Sequence, residues 1–580
     1  MTEQTEQTNI FGMVERHNNN CFIVPIDKGA RPFIFPAGRK LKNGDFVELE
    51  PVRFGRRQEL TLLKNYGPCS LSIINEVLIS RKYQIPRHFS AKLMRECKKF
   101  ADFEQDARAN LTDIPFVTID GDDSKDFDDA VYAQKNESGF LLMVAIADVS
   151  FYVRSGSELD REAYLRGNSV YLPQTVIPML PEVLSNDLCS LNPQVRRPAV
   201  VCSMHIDNRG HLLQWNFRRA VIKSAARLTY NEVEKAIHGE FTRNSKKVFT
   251  TAIQPLYEAY FALNKAREER GTLELVTSEI KFKFGKKGEI IGVCNNGELT
   301  ANKIIEEFMI AANVAAARFL REHKTAALYR IHDKPPAEKL ADIKPLLHSL
   351  HLKLPDASAL QARHFNRILQ LCPERGISDL ILRLQCQARY SPDNIGHFGL
   401  ALPEYVHFTS PIRRYADLTI HRAIVAACKM ETDLPHPLSL EQLRETGDHL
   451  GVTERRAAAI ERDITARYLA CYMQPMQGAE FEVSISGVGN AGVFVRIENL
   501  GAEGLIPMRC LPADYYELCD AGTKLRGQKY KLSFSLGHTL TARLSEVTPL
   551  TGGLIFHYLS GAEGAKTKPK NFRKNKGKKK

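Results

Sequence analysis

The sequence lacks the features that mark secreted, disulfide-stabilised and membrane proteins. Its 12 cysteines include no C-x-x-C pair and are spread from Cys21 to Cys519, most of them in apolar runs, which is typical of reduced core residues. No stretch of about 18 apolar residues occurs. The polar start, Met1 to Glu6, has no apolar segment behind it. We therefore expect a cytoplasmic protein without a membrane segment.

Positive charge is distributed unevenly along the 580 residues. The net charge of +13 favours a polyanionic partner. Eight lysines and Arg573 lie between Lys566 and Lys580 with no acidic residue, and without these nine residues the net charge is +4. Such a Lys-, Asn- and Gly-rich tail cannot bury a core, so we predict that it is disordered. Binding of the polyanionic partner is the functional interpretation, and a solubilising tail is the alternative.

Hydrophobic patterning predicts three kinds of region. Short alternating strands broken by turns predict a small β-barrel at each end of the chain. The N-terminal strands are predicted at 12–15, 21–25, 32–36 and 44–49, and the C-terminal strands at 480–485, 492–497, 504–507, 529–532 and 539–544. Helical spacing predicts helices at 90–100, 301–322 and 440–472.

The fold predicted from these patterns is multidomain, with an α/β catalytic domain flanked by small β-barrels. The predicted boundaries are a barrel at 9–65, a linker at 66–100, the α/β domain at 101–475, a second barrel at 478–550 and the basic tail at 551–580.

The densest polar feature is a loop with six aspartates in ten positions, Asp120 to Asp129, between two apolar strands. Six like charges repel one another unless a cation neutralises them, and carboxylate oxygens suit magnesium, manganese or calcium. An EF-hand is excluded by spacing, because its sixth position would be Lys125 and its twelfth Val131. A solvated acidic loop remains the alternative to a magnesium site that substrate phosphates complete.

A second constellation runs from Tyr405 to Tyr415 and ends in paired arginines. Arg413 and Arg414 are suited to clamp a phosphate through bidentate hydrogen bonds. Internal ion pairs with Asp417 are the alternative. The nearby histidines have no fixed metal spacing, and we predict core or hydrogen-bonding roles for His397, His407 and His421.

At these two segments the sequence resembles the ribonuclease II family, the RNB-domain exoribonucleases. The family signature, an aspartate, six positions to another and then Asp-x-Asp-Asp, is met by Asp120, Asp126, Asp128 and Asp129. Gly396 to Ala401 and His407 to Tyr415 are also similar to the family. The resemblance implies an RNB catalytic domain, an N-terminal cold-shock-like OB-fold barrel and a C-terminal S1-type OB-fold barrel.

The resemblance further implies processive 3′→5′ hydrolysis of single-stranded RNA to nucleoside 5′-monophosphates by a monomer that uses Mg²⁺, or Mn²⁺ instead. By position, the four signature aspartates form the metal site, and Asp128 in particular places the terminal nucleotide. Arg413 then stabilises the transition state. The residues that the resemblance assigns to RNA binding are Tyr171, Tyr230, Glu306, Arg414 and Glu461.

Two departures from the family pattern bear on RNA binding. Leu275 stands where a base-stacking phenylalanine is frequent, and Ala491 stands where the S1-type barrel often has an aromatic. We therefore expect less stacking at both places. The competing classes are a catalytically inactive RNA-binding protein, against which retention of all four aspartates argues, and an endonuclease or DNA-directed nuclease, which spacing does not exclude.

Overall fold

The structure, a computed structural model, describes residues 9–564 except 19, 37–39, 55–56, 101–107, 276–278, 350–351, 372–374, 431–437 and 520–521. Most of the predicted basic tail, 565–580, lies outside the described residues.

A five-stranded antiparallel sheet forms the N-terminal module. In spatial order its strands are Phe33–Ile34, Asn20–Pro25, Ile10–His17, Asp45–Phe54 and Arg57–Pro68. Alternate apolar residues such as Val14, Ile23 and Val47 are fully buried in its core, which is the period-two burial expected of strands. The sheet extends to Pro68, three residues beyond the predicted boundary.

The central sheet has seven strands and carries the aspartate loop. In spatial order they are Ala226–Thr229, Val117–Asp120, Asp129–Asn136, Gly139–Ala147, Arg196–Asp207, Leu212–Lys223 and Ala109–Asn110. Gly139–Ala147 is apolar at nearly every position and buried on both faces, because helices cover one side and loops with short helices cover the other. The predicted α/β domain is confirmed.

Helices of the chain pack on this sheet and between the modules. Their bounds are Leu71–Val77, Ala91–Glu96, Val149–Tyr152, Glu158–Arg166, Tyr230–Ile237, Arg243–Val248, Gln254–Arg270, Thr300–Glu322, Ala337–Ser349, Ala362–Leu371, Arg375–Leu384, Tyr415–Ala427 and Leu440–Met473. The helices predicted at 301–322 and 440–472 are therefore confirmed to within one residue at each end. Across the described ranges, no helix has the length and hydrophobicity needed to span a bilayer.

Three short two-stranded sheets complete the central region. They are Val170–Leu172 with Thr175–Ile177, Glu279–Phe284 with Ile290–Asn296, and Tyr329–Ile331 with Arg389–Ser391.

The C-terminal module is a closed barrel. Its strands are Glu480–Gly489, Gly492–Ile497, Ala502–Pro507, Gly553–Ser560 and Thr539–Thr548, and a three-stranded sheet lies beside it, formed by Tyr516–Cys519, Lys524–Gly527 and Ser533–Ser535. Two sequence predictions were wrong here. Residues 529–532 are not a strand, because Asp514 accepts the backbone N–H groups of Lys529 and Tyr530 and holds them in a turn. The barrel also does not end at 550, since Gly553–Ser560 closes it.

The long helix, Leu440–Met473, joins the N-terminal module and the C-terminal barrel to the central domain. A fully buried side chain on it, Arg467, donates through Nε to the Leu550 carbonyl and through Nη2 to the Ile26 carbonyl, both at 3.0 Å. Asp463, one turn earlier on the helix, accepts from Nη1 of the same guanidinium. The Arg467 guanidinium therefore binds one backbone carbonyl of the N-terminal module and one of the C-terminal module.

Candidate active site

The aspartate loop begins and ends on neighbouring strands of the central sheet. Asp120 is the last residue of one strand and Asp129 the first of the next, so both carboxylates lie at the same edge, as predicted for a loop between strands. They open into a cavity of 350 Å³. The predicted site residues that line this cavity are Asp120, Asp126, Asp128, Asp129, Tyr171, Tyr230, Glu306, Arg413 and Arg414. Residues from Asp120 to Arg414 thus meet in one place.

Asp128 connects the two sequence motifs directly. Its carboxylate is buried, with 4% of the residue exposed; Oδ1 accepts the Ile412 N–H at 2.8 Å, and Oδ2 accepts Nε–H of Arg413 at 3.3 Å. Burial raises the pKa of Asp128 well above its usual value, although Arg413 and the Ile412 N–H oppose this rise. Both oxygens have protein partners, so Asp128 fixes the arginine segment relative to the loop.

Asp120 and Asp129 carry negative charge that the protein compensates poorly. Asp120 accepts hydrogen bonds from the Gly121 N–H at 2.7 Å and the Ser124 hydroxyl at 3.0 Å, yet burial still raises its pKa. Burial and the neighbouring charge of Asp120 raise the pKa of Asp129 to about 7, with Arg413 opposing the rise. The positive charge of Arg413 therefore compensates these two buried carboxylates only in part.

Such a donor set fits a hard divalent cation. Carboxylate oxygens that the protein compensates only in part suit Mg²⁺ or Mn²⁺. Among the residues that the structure describes, no three Asp, Glu, His or Cys side chains are already arranged as a metal site.

The two adjacent arginines have different surroundings. Arg414 forms a bidentate ion pair with the fully buried Asp417, with Nε–Oδ2 and Nη2–Oδ1 distances of 2.8 Å, which is the internal pairing considered as the alternative. Arg413 instead donates to Asp128 and, through Nη2, to the Ser410 hydroxyl at 2.9 Å. Its side chain is 43% exposed towards the cavity it lines. Arg413 is therefore the arginine available to a substrate phosphate.

The short hairpin of Val170–Leu172 and Thr175–Ile177 places Tyr171 over the aspartate loop. The Tyr171 hydroxyl donates to Oδ2 of Asp126 at 2.9 Å, and its backbone N–H donates to Oε1 of Glu461 at 2.9 Å. The tyrosine residue is 41% exposed. Glu461 does not line the cavity itself, so it acts on the site through the backbone of Tyr171.

Tyr230 and Glu306 complete the cavity wall. Thr229 pairs in parallel with Asp120 and caps the helix that begins at Tyr230, which puts Tyr230 beside the aspartates. Glu306 accepts a hydrogen bond from Nη1 of Arg267 at 3.1 Å. Its carboxylate therefore enters the cavity wall as part of an ion pair.

The three histidines have the structural roles predicted for them. His421 is buried and bonds the Phe408 carbonyl, His407 bonds the Tyr390 hydroxyl, and His397 bonds the Leu400 N–H. Burial lowers the pKa of His397 to about 3 and that of His421 to about 4, so both rings are neutral.

Sequence reasoning missed two polar residues that hold the site in place. Asn313, 2% exposed, accepts the Phe408 N–H at 2.7 Å and donates to the Tyr405 hydroxyl at 3.0 Å. The Ser190 hydroxyl binds the loop at the Lys125 carbonyl and the Phe127 N–H. A lone asparagine on the apolar face of Thr300–Glu322 was the available signal for the first, because a buried polar group requires a partner.

Neither of the two residues that depart from the family pattern lines the cavity. Leu275 packs against the buried cluster of Ala337–Ser349, Ala362–Leu371 and Arg375–Leu384. Ala491 lies in the turn before Gly492–Ile497, where its carbonyl accepts the Met508 N–H. Their effect on base stacking stays a prediction.

This chain is similar to known proteins both in sequence and in structure. The RNB domain family model matches residues 108–430. Ribonuclease R of Escherichia coli (strain K12) is 42% identical over 455 residues, which cover 76% of this chain and 56% of the relative. This chain thus spans little more than half of that relative's length. Ribonuclease R of Aquifex aeolicus is 34% identical over 96% of this chain and 81% of its own length.

A solved structure is similar over nearly the whole fold. The Mycoplasma genitalium RNase R in complex with ribose-methylated single-stranded RNA superposes with a TM-score of 0.85 at 27% identity, covering 96% of this chain and 91% of that one. The four signature aspartates and Arg413 line the cavity, and all five lie within residues 108–430, which the RNB domain model matches. This chain belongs to the RNB family.

Proposed function

We propose that the protein is a magnesium-dependent 3′→5′ exoribonuclease that hydrolyses single-stranded RNA processively to nucleoside 5′-monophosphates in RNA turnover. The observation that carries the proposal is the pair of contacts from Asp128 to Ile412 and Arg413, which holds at the carboxylate pocket a guanidinium of the kind suited to bind a phosphate. The names of the relatives and the single-stranded RNA bound by the Mycoplasma genitalium protein support the substrate class.

The chain's own residues would act on the terminal phosphodiester as follows. Asp120, Asp126 and Asp129 would hold Mg²⁺ beside Asp128, and the metal would lower the pKa of an attacking water and neutralise charge on the phosphoryl oxygens. Arg413, held by Asp128 and Ser410, would donate to a phosphoryl oxygen whose negative charge grows in the transition state. Tyr171 and Tyr230 would present aromatic faces to the last bases, which favours tolerance of base identity.

Incubation of 5′-labelled single-stranded RNA with the protein and Mg²⁺ tests the proposal. We expect stepwise shortening to a very short end product, and we expect a blocked 3′ end to prevent it. Internal cuts would identify an endonuclease, cleavage of DNA in place of RNA a DNA-directed enzyme, and retardation without cleavage an RNA-binding protein. Any of these results would overturn the proposal.

Magnesium should bind more tightly as the pH rises. Because burial and Asp120 raise the pKa of Asp129 to about 7, Mg²⁺ must displace a proton at lower pH. Between about pH 4 and pH 7, Asp129 holds a proton in the folded metal-free protein that it has lost in the unfolded chain, so the contribution of this group to stability falls as the pH rises, and Mg²⁺ should offset this loss. We expect the Mg²⁺-induced rise in Tm to be larger at about pH 8 than at about pH 5.5.

Thermal unfolding with and without Mg²⁺ measures this linkage. Asp129→Asn serves as the control, since it removes the titrating group. An equal rise in Tm at both pH values in the unsubstituted protein would contradict the prediction.

Tyr171→Phe should separate metal binding from base stacking. The substitution keeps the ring but removes the hydroxyl that orients Asp126. Loss of a hydrogen bond to a metal ligand typically costs about 10- to 100-fold in metal affinity. We therefore expect a rise of about tenfold or more in the Mg²⁺ concentration for half-maximal activity, while RNA affinity in a chelator is unchanged.

Tyr171→Ala is the matched comparison, because it also removes the ring and should weaken RNA binding by about 1–3 kcal/mol. Direct titration with Mn²⁺, followed by electron paramagnetic resonance, reports metal affinity apart from activity. Identical Mn²⁺ affinity in Tyr171→Phe and the unsubstituted protein would refute the orienting role of the hydroxyl.

The remaining assignments are also proposals. We propose that the enzyme is a cytoplasmic monomer and that the basic residues 566–580 bind structured RNA or ribosomes. The tail's lysines support this by charge alone, since they lie outside the described residues.

A further inference from the structure

The hairpin of Glu279–Phe284 and Ile290–Asn296 has one apolar and one basic face. Alternate residues Ile280, Phe282 and Phe284 pack inward, and the rings of Phe282 and Phe284 lie 5.6 Å and 5.9 Å from that of Tyr468 on the long helix. Ile280 and Phe282 also contact the buried cluster of the C-terminal barrel. The hairpin is thus held where the long helix meets that barrel.

Lysines occupy the opposite face and the tip. Lys281, Lys283, Lys286 and Lys287 are exposed. In the turn, Gly285 accepts the Gly288 N–H at 3.0 Å and Gly288 has a φ of 78°, a left-handed conformation that favours glycine. This geometry, typical of a three-to-five-residue hairpin loop, puts Lys286 and Lys287 at the tip.

Three of these four ammonium groups are not used in the fold. Within the described residues, the ammonium groups of Lys283, Lys286 and Lys287 have no ion-pair or hydrogen-bond partner. The one acidic side chain of the turn, Glu289, accepts the backbone N–H of Lys287 at 2.9 Å, so its carboxylate shapes the loop. Three lysines on a rigid hairpin remain available to an anionic partner.

The hairpin is tied to the strand that carries Tyr171. Gln174, in the turn between Val170–Leu172 and Thr175–Ile177, donates through Nε2 to the Gly288 carbonyl at 2.9 Å. The same amide accepts the Tyr468 hydroxyl at 3.2 Å. The lysine-bearing tip is therefore fixed relative to the tyrosine that covers the aspartate loop.

We propose that the hairpin 279–296 is a phosphate-binding arm that holds the backbone of single-stranded RNA on its approach to Tyr171. The proposal rests on the proposed function and assigns a further part of the substrate path. Lysine ammonium groups on flexible stems neutralise phosphates without reading bases, which is the contact a degradative enzyme requires. Charge complementarity and the tie to Tyr171 favour RNA over an acidic protein as the occupant.

The test compares two triple variants with equal loss of charge. The arm variant carries Lys283→Gln, Lys286→Gln and Lys287→Gln, and the control carries Lys98→Gln, Lys344→Gln and Lys353→Gln at exposed lysines outside the hairpin. Affinity for a 5′-fluorescein oligoadenylate RNA is measured by anisotropy in a chelator across a salt series.

Loss of three phosphate contacts should make the negative slope of log affinity against log salt shallower by about 2. It should also weaken binding about tenfold or more at low salt. The control should match the unsubstituted protein.

Equal RNA binding by the arm variant and the unsubstituted protein would overturn the proposal and leave the lysines to solvent or to an acidic protein. Equal weakening of both triple variants would also overturn it, because net charge alone would then be responsible. If the unsubstituted protein neither binds nor shortens RNA, the proposed function itself fails. Cleavage by that protein with no effect of the arm variant refutes the arm alone.

Discussion

Asp128→Asn is expected to reduce RNA hydrolysis by at least about 10³-fold while the protein still folds and binds RNA. The carboxylate accepts from both the Ile412 N–H and Arg413. An asparagine has only one acceptor oxygen, so its amide N–H₂ must face one of these donors. Arg413 and the 405–414 segment would then shift relative to the carboxylates that we propose to hold Mg²⁺. Single-turnover cleavage of 5′-labelled RNA measures the loss.

Asp123→Asn is the matched control, because Asp123 is exposed on the same loop and does not line the cavity. Its cleavage rate should stay within a factor of about two of the unsubstituted rate. RNA affinity in a chelator separates a catalytic defect from a binding defect. Full activity of Asp128→Asn would remove this residue from the mechanism.

Arg413→Lys is expected to reduce the cleavage rate, and Arg414→Lys is expected to reduce stability. Lysine keeps the charge but cannot reproduce the planar fork of arginine. At position 413 this should cost about 100-fold in single-turnover rate, since the guanidinium that we propose to face the reacting phosphate is lost. The effect on stability should be small, because the Arg413 side chain is 43% exposed.

At position 414 the main effect should be on folding. Arg414 bonds both oxygens of Asp417, whose side chain is fully buried. Replacing the bidentate pair should lower the free energy of unfolding by about 1–3 kcal/mol. Chemical denaturation and single-turnover kinetics on both variants test the pair. Equal activity loss at both positions without a stability difference would contradict this separation of roles.

The carboxylate pocket was predictable because its residues are close in sequence and unusual in composition. Six aspartates between two apolar strands indicate a loop at one sheet edge, and the structure places Asp120 and Asp129 at that edge. The division of labour between Arg413 and Arg414 was not predictable. Arg413 and Arg414 are adjacent residues of the same type, so the sequence does not distinguish them. The position of buried Asp417 in the helix Tyr415–Ala427 decides that Arg414 turns inward.

The C-terminal barrel shows where local patterning fails. Alternation at 529–532 favoured a strand, but the carboxylate of Asp514, fifteen residues earlier, captures those backbone N–H groups. Gly553–Ser560 alternates equally well, and it forms a strand because Thr539–Thr548 and Ala502–Pro507 lie on either side of it. Strand formation in this barrel depends on partners that are distant in sequence.

The joint at Arg467 has a consequence for how this chain can vary among its relatives. Its interdomain acceptors are the carbonyl oxygens of Ile26 and Leu550, which every amino acid supplies. Substitution at either position leaves the acceptor in place, whereas an insertion or deletion beside it moves the carbonyl away from a fully buried cation. Selection must therefore preserve the length of these two loops more than their composition. Their length keeps the N-terminal module and the C-terminal barrel attached to the catalytic domain.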